Sequence, residues 1–421
     1  MLETELIQKQ LSNNIMTTGS KKELQFSRNK VIAGSCAIAI SLGLARFDFG
    51  IIARLMQKTG WIATTGIGDL AGFNVAGYVI GCIHHSRSRS PQRSFKILAL
   101  ALFVLLITLW LESYQSSFPI RIILRFSNGW AAGHLVSGIP GLALKRIPKQ
   151  QSRRYTSLLM SGAGIGALLG ALAIGTIAAD SPHMAWIVIS ASATLLAFPV
   201  AWLLKSSSKK SDEKILPSKT TPTITTNKKT TNQTWKLAGL AAGYSLIGAG
   251  MVPVVLYGPL IANERLGATP TLSSDSFALF GIGSVFGCFI ASTLPRGWST
   301  SNLLPVTSLI GLLGSILFRV ADYLYIEMLA IFLVGSWAYM TVTLTYDRLG
   351  ELLDDSQKNR WWALISSFLG ISYSGFALIF SHLAGVSINR LLSVGIAIMI
   401  CQLFMELLQR SGTGFGRETT Q

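Results

Sequence analysis

The sequence predicts an all-α membrane protein whose twelve transmembrane helices form two matched bundles of six. Three observations predict it. Twelve stretches of about 17 to 27 predominantly apolar residues run from Val31 to Leu408, and a bilayer core about 30 Å thick takes roughly 20 helical residues to cross. A polar break divides these stretches six and six. Corresponding stretches in the two sets start at 31 and 235, 119 and 324, and 155 and 361, an offset of about 205 residues. A constant offset of that kind is the mark of an internal duplication.

Composition excludes the soluble classes. Half of the 421 residues are hydrophobic and 13% are charged, against roughly 25% charged in a soluble chain. The 40 glycines suit helices whose backbones meet closely in lipid. A formal charge of +17 raises the question of nucleic acid, which the placement of the charges answers. With the N-terminus inside, 28 of the 36 Lys and Arg fall on inner connections and tails, six on outer ones, and Arg46 and Arg125 within spans. That is the positive-inside pattern, so both termini are expected in the cytoplasm and no nucleic-acid partner is implied. Cys36, Cys82, Cys288 and Cys401 lie in four different stretches without paired spacing, and they read as buried small side chains.

Taken in order, the polar residues 1–30 form a cytoplasmic tail, and an uncleaved first helix follows it rather than a signal peptide. An N-terminal bundle, 31–204, holds spans at 31–53, 66–83, 95–111, 119–144, 155–179 and 184–204. Residues 205–234, rich in Lys, Ser and Thr, read as a solvated cytoplasmic linker. A C-terminal bundle, 235–408, holds spans at 235–261, 273–294, 302–319, 324–346, 361–384 and 387–408, and 409–421 form a second cytoplasmic tail.

Arg46 and Arg125 are the residues that lipid tolerates least. An arginine at a helix centre costs about 2.5 to 3.5 kcal/mol on insertion scales, so one inside a span faces a polar interior and has a partner. Each stands six or seven residues from the outer end of its span, about 9 to 10 Å deep, so the two could hold an anionic group together. The alternative is that each caps carbonyls or snorkels outward. Asp48 is roughly 200° around the helix from Arg46 and cannot share its face. Asp69, at the outer end of the second span, could pair with an arginine, carry a proton, or simply sit at a helix N-terminus. Asp275 reads as a helix-start residue.

Asn74 and Asn128 are buried amides suited to bonds between helices. His134 belongs to a surface other than that of Arg125 and reads as a packing residue, and His84 and His85 lack further ligands for a metal. In the C-terminal half, Tyr244 and Tyr257 flank a stretch of the seventh span interrupted by Pro253 and Pro259, while Trp337, Tyr339 and Thr341 lie near the middle of the tenth. Interrupted helices at the midplane are where transporter sites form, although packing explains any one of these aromatics as well.

Arg125-Phe126-Ser127-Asn128-Gly129-Trp130-Ala131-Ala132-Gly133 resembles the fourth-helix signature of the major facilitator superfamily. The resemblance implies a role for Arg125 in proton coupling and a packing role for Gly129. Gly162, Gly166 and Gly170, with Ala167 and Ala171, resemble its fifth-helix antiporter signature, but Ala167 stands where proline is usual, which weakens a reading of export. In the loop signature after the second helix, His85 replaces the usual Asp and Ser88 the second Gly, while Arg87, Arg89 and Arg93 keep its basic character. Gly43-Leu44-Ala45-Arg46-Phe47, Leu55-Met56 and Phe73-Asn74-Val75-Ala76-Gly77-Tyr78-Val79-Ile80-Gly81 are similar to the YbfB/YjiJ-type branch.

The expectation is a secondary active transporter of the bacterial inner membrane, monomeric, without cofactor or metal. It would move a small organic solute by rocking two bundles about a midplane cavity, with protons as the coupling ion. No GxxxxGK[ST], HExxH or GxSxG motif occurs, so neither nucleotide hydrolysis nor an enzyme is expected. A sensor or scaffold that binds a ligand but moves nothing is the other reading.

Overall fold

In the computed structural model, residues 25–88, 91–145, 147–212, 230–267, 269–295, 298–384 and 387–411 are described. They form twelve long helices: α1 (Gln25–Lys58), α2 (Thr64–Ser86), α3 (Pro91–Glu112), α4 (Phe118–Ala143), α5 (Ser152–Ile177), α6 (Pro182–Asp212), α7 (Thr230–Leu266), α8 (Pro270–Thr293), α9 (Thr300–Val320), α10 (Leu324–Leu352), α11 (Asp355–Ala384) and α12 (Ile388–Ser411). The side holding the start of α1 and the end of α12 is here the basic face, and the opposite side the far face. Eleven helices are apolar and long enough to cross a membrane. The remaining one, α4, has the length at 26 residues but carries Arg121, Arg125, Asn128 and His134, which lower its apolarity and are all buried among its neighbours.

Several boundaries differ from the expectation. The first helix runs past Ala53 to Lys58, so Arg54 is buried within it instead of lying on a connection. The sixth and seventh helices extend into the expected linker, to Asp212 and from Thr230, because a helix satisfies its backbone bonds internally and so can continue beyond the apolar layer. The rest of that linker, 213–229, and the tails at 1–24 and 412–421 lie outside the described residues. Helix α7 continues through Pro253 and Pro259 without the expected break. Asp275 is not at a helix start: α8 begins five residues earlier, where Thr269 accepts a hydrogen bond from the Leu272 amide and Pro270 takes the first turn.

Glycine sets how closely the helices meet. A Cβ on Gly77 or Gly81 of α2 would strike the carbonyl oxygen of Phe126 or Trp130, and one on Gly129 of α4 would strike that of Asn74. The second half repeats this 206 residues later. Gly283 and Gly287 of α8 lie against the carbonyls of Phe332 and Ser336, and Gly335 of α10 against that of Phe280. The Cys82 thiol donates to the Gly133 carbonyl at 3.6 Å, and its counterpart Cys288 to that of Tyr339 at 3.9 Å. The α2–α4 and α8–α10 pairs are therefore one packing solution used twice, in two six-helix bundles. In lipid, where apolar contact alone favours no partner, such small-residue seams hold helices together.

Between the bundles, α2 packs on α11 and α5 on α8. Toward the far face, the Ser374 and Ser381 hydroxyls donate to the carbonyls of Gly72 and Thr65, both at 2.9 Å. Mid-membrane, Gly164 and Gly281 face each other so closely that a Cβ on either would lie 2.6 Å from the other's oxygen. Toward the basic face, the Trp362 indole donates to the Val136 carbonyl at 3.2 Å.

Candidate functional site

The centre of the molecule is built on an irregular piece of α1. Ala39–Phe47 is a π-helix, with the Asp48 amide bonded to the Gly43 carbonyl at 3.2 Å. Wider turns of this kind are rare and occur at functional positions. Glycine permits the segment to lie on α5, since a Cβ on Gly43 would come within 2.5 Å of the Gly166 Cα. The fifth-helix glycines answer it: Gly162 faces the Ser35 carbonyl, Gly166 that of Ala39, and Gly170 the Asp48 carboxylate. All four expected packing glycines, Gly129, Gly162, Gly166 and Gly170, thus stand at close helix approaches.

Arg46 leaves this segment toward the seam between the bundles. Its guanidinium lies 4.3 Å from the ring centre of Tyr373 on α11 and 5.3 Å from that of Tyr78 on α2. The phenols of Tyr244 on α7 and Tyr339 on α10 are also within its electrostatic reach. Four tyrosines from four helices and both bundles surround one cation, while its Nε and Nη2 have no hydrogen-bond partner among the described residues. Phe47 packs edge-on against Phe280 and Tyr339, at 5.2 and 5.9 Å between centroids.

Arg125 stands behind α1. It donates to the Ala45 carbonyl at 3.1 Å and lies over the rings of Phe49, at 4.0 Å, and Trp186, at 5.8 Å. It is therefore level with Arg46, as expected, and the Tyr373 phenol is within reach of both. Behind it, the Asn74 amide donates to the Arg125 carbonyl at 3.0 Å and to the Asn128 side chain at 3.1 Å, and Asn128 donates to Thr108 at 3.2 Å. The two amides tie α2, α3 and α4 together.

Three charged residues are placed otherwise than expected, or were not singled out. Arg121, assigned to an outer connection, is buried and pairs with Glu112 at 3.3 Å, one turn from Arg125 on the same face of α4. Its i, i+4 spacing from Arg125 was the available signal. Asp69 is half-buried, makes no ion pair with Arg46 or Arg125 among the described residues, and lies near the Tyr257 phenol. Asp48 points away from Arg46 as expected, but into the N-terminal bundle: it is completely buried against Gly170, and neither carboxylate oxygen has a hydrogen-bond partner among the described residues.

The aromatics of the C-terminal half divide. Tyr244 and Tyr339 reach the centre, whereas Trp337 packs on Gly311 and Met399 inside its own bundle, with its indole N–H unbonded among the described residues. Trp337 and Tyr339 are two residues apart and so face apart on one helix. Tyr78 and Tyr373 belong to the centre and were not singled out as site residues. His134 is not alone either: its Nε2 lies 3.2 Å from His84 Nδ1, and the His85 ring is 5.7 Å away. No group of three metal-binding side chains is arranged for a metal among the described residues.

At the basic face, Arg153 of α5 bridges the bundles to Asp347 of α10 at 2.6 Å and approaches Glu351 at 4.0 Å. Beside it lies a cavity of about 690 Å³ bordered by His85, Ser137, Gly141, Tyr346, Asp347 and Lys358.

With that geometry in hand, the family model described as "Uncharacterised MFS-type transporter YbfB" matches residues 38–406. The chain belongs to this family of MFS-type transporters. A mutant of the nucleoside transporter NupG has a similar crystal structure, with a TM-score of 0.66 and 11% sequence identity over 90% of this chain and 99% of that one. No curated protein matches the sequence. This YbfB-type chain is thus an integral membrane transporter of major facilitator fold for a small molecule, and not an enzyme. Arg46, the π segment and the fifth-helix glycines all fall inside the matched residues.

Proposed function

We propose that the protein is a proton-coupled secondary transporter that moves a polar or anionic small organic solute by alternating access, with both termini on the cytoplasmic side of a bacterial inner membrane. One observation carries this reading: two ionisable side chains on the same irregular stretch of α1 point to opposite sides. Among the described residues, Arg46 enters the tyrosine-lined seam with two buried guanidinium nitrogens unbonded, and Asp48 enters the N-terminal bundle with both carboxylate oxygens unbonded. A guanidinium among phenols suits carboxylate, phosphate or hydroxyl groups. A carboxyl set apart from the solute site is placed to exchange a proton when water reaches it. Arg125, holding the Ala45 carbonyl just before Arg46, links the two events. Asn74 and Asn128 support Arg125, and Tyr78, Tyr244, Tyr339 and Tyr373 line the solute site, with Asp69 and Tyr257 toward the far face.

The test begins with a thermal-shift screen of purified protein against metabolites, because a bound solute stabilises the folded state by mass action. The stabilising solute is then followed in proteoliposomes. Arg46→Ala is expected to remove the stabilisation. Asp48→Asn is expected to keep solute counterflow but lose accumulation driven by a proton gradient, and Arg125→Ala to lose that accumulation also. Unchanged gradient-driven uptake in Arg125→Ala would remove Arg125 from the coupling network. Saturable binding without counterflow would replace transport by the sensor reading.

A further inference from the structure

A groove of about 600 Å³ runs along the lipid-facing side of the N-terminal bundle, between α3 and α6. Its construction differs along its length. The mouth, at the basic face, carries Lys96 and Lys205, both exposed and without ion pair or hydrogen bond among the described residues. The walls are Phe103 and Phe198, 60% and 70% exposed, and the floor is apolar, with Leu102 and Leu204 buried beneath it. Small residues, Ala99 and Ala201, keep the channel open just inside the mouth. At the inner end the Trp110 indole donates to the Thr194 hydroxyl at 3.2 Å and ties the two helices together.

The length identifies the occupant. From Lys96 to Leu106 is ten residues, and from Thr194 to Lys205 eleven, so the groove is roughly 15 Å long at about 1.5 Å per residue. That is half of a hydrocarbon core about 30 Å thick, or one leaflet. An acyl chain lying in it would place its headgroup beside two lysines on flexible stems, which attract a phosphate and repel a choline or an ethanolamine ammonium. From this depth, apolarity and charge we infer that the α3–α6 groove is a binding site for one anionic phospholipid of the leaflet at the basic face. The site is separate from the Arg46 centre and stands whether or not the transport reading does.

Native mass spectrometry of the purified protein from micelles holding equal phosphatidylglycerol and phosphatidylcholine tests this. The wild-type chain is expected to retain one phosphatidylglycerol in preference to phosphatidylcholine. Lys96→Gln with Lys205→Gln, a change at exposed side chains, is expected to weaken that retention by at least about tenfold. Ala201→Trp, which fills the channel and leaves both lysines, is expected to displace the lipid as well. Equal retention of the two lipids by the wild type overturns the proposal. So does phosphatidylglycerol held as tightly by the double lysine variant, or retention unaffected by the filled groove, since that would reduce the effect to charge alone.

Discussion

Single charged residues divide here into those that hold the fold and those left open. Glu112 and Arg121 are both buried and paired, so Glu112→Gln leaves a guanidinium without its counter-charge. A loss of about 3 to 5 kcal/mol is expected, read as a lowered unfolding temperature in detergent. Lys58 and Asp180 form an exposed pair at 3.6 Å, and Asp180→Asn is expected to leave that temperature nearly unchanged. Arg46 and Asp48 belong to the other kind, and their replacement is expected to change solute and proton handling more than folding. The sequence made Arg46 and Arg125 conspicuous because charge inside an apolar run is visible to any reader. It could not show the tyrosines around them. Tyr78 and Tyr373 are ordinary residues in ordinary helices, and only the packing of α2 against α11 brings them to the same guanidinium.

Helices were the most legible level, because a crossing needs a length and lipid needs apolar residues. Even so, α4 alone of the twelve described helices falls short of an apolar crossing, since it carries Arg121, Arg125, Asn128 and His134. The π stretch of α1 had no signature in composition. The glycines had one: Gly77, Gly81 and Gly129 recur as Gly283, Gly287 and Gly335, a spacing that becomes meaningful once each is seen against its neighbour's carbonyl. Gly129→Leu is expected to force α2 and α4 apart and to cost several kcal/mol, as overpacking of a tight seam does. Gly60, in the left-handed region at φ 73° with open space around it, carries a different constraint. Gly60→Ala is expected to strain a turn by roughly 1 kcal/mol without disturbing packing.

Across the whole molecule, polar contacts such as the Arg153–Asp347 bridge, the shortest among the described residues, join the bundles. Arg153→Ala is expected to loosen the basic face. An Asn359→Cys reporter beside Gly141 should then react faster with an impermeant thiol reagent, and an unchanged rate would show that the bridge does not hold this side closed. Labelling from the cytoplasmic side alone would also fix the orientation proposed from the arginine and lysine count. The division into 31–204 and 235–408 is expected to survive cutting: two polypeptides separated within 213–229 should assemble when made together, as measured by co-purification.

The wide turn of α1 spans Ala39 to Phe47 and closes one residue further back than an ordinary helix does. Removing a single amino acid there, such as Leu42, would let the chain wind regularly while the rods on either side nearly keep their facing, because the wide turn is what absorbs the extra residue. The shortened protein would gain evenly spaced backbone bonds. It would also re-aim Arg46, inside the wide turn, against Asp48 at its end, and is expected to leave a sturdier membrane protein that has lost the proposed transport.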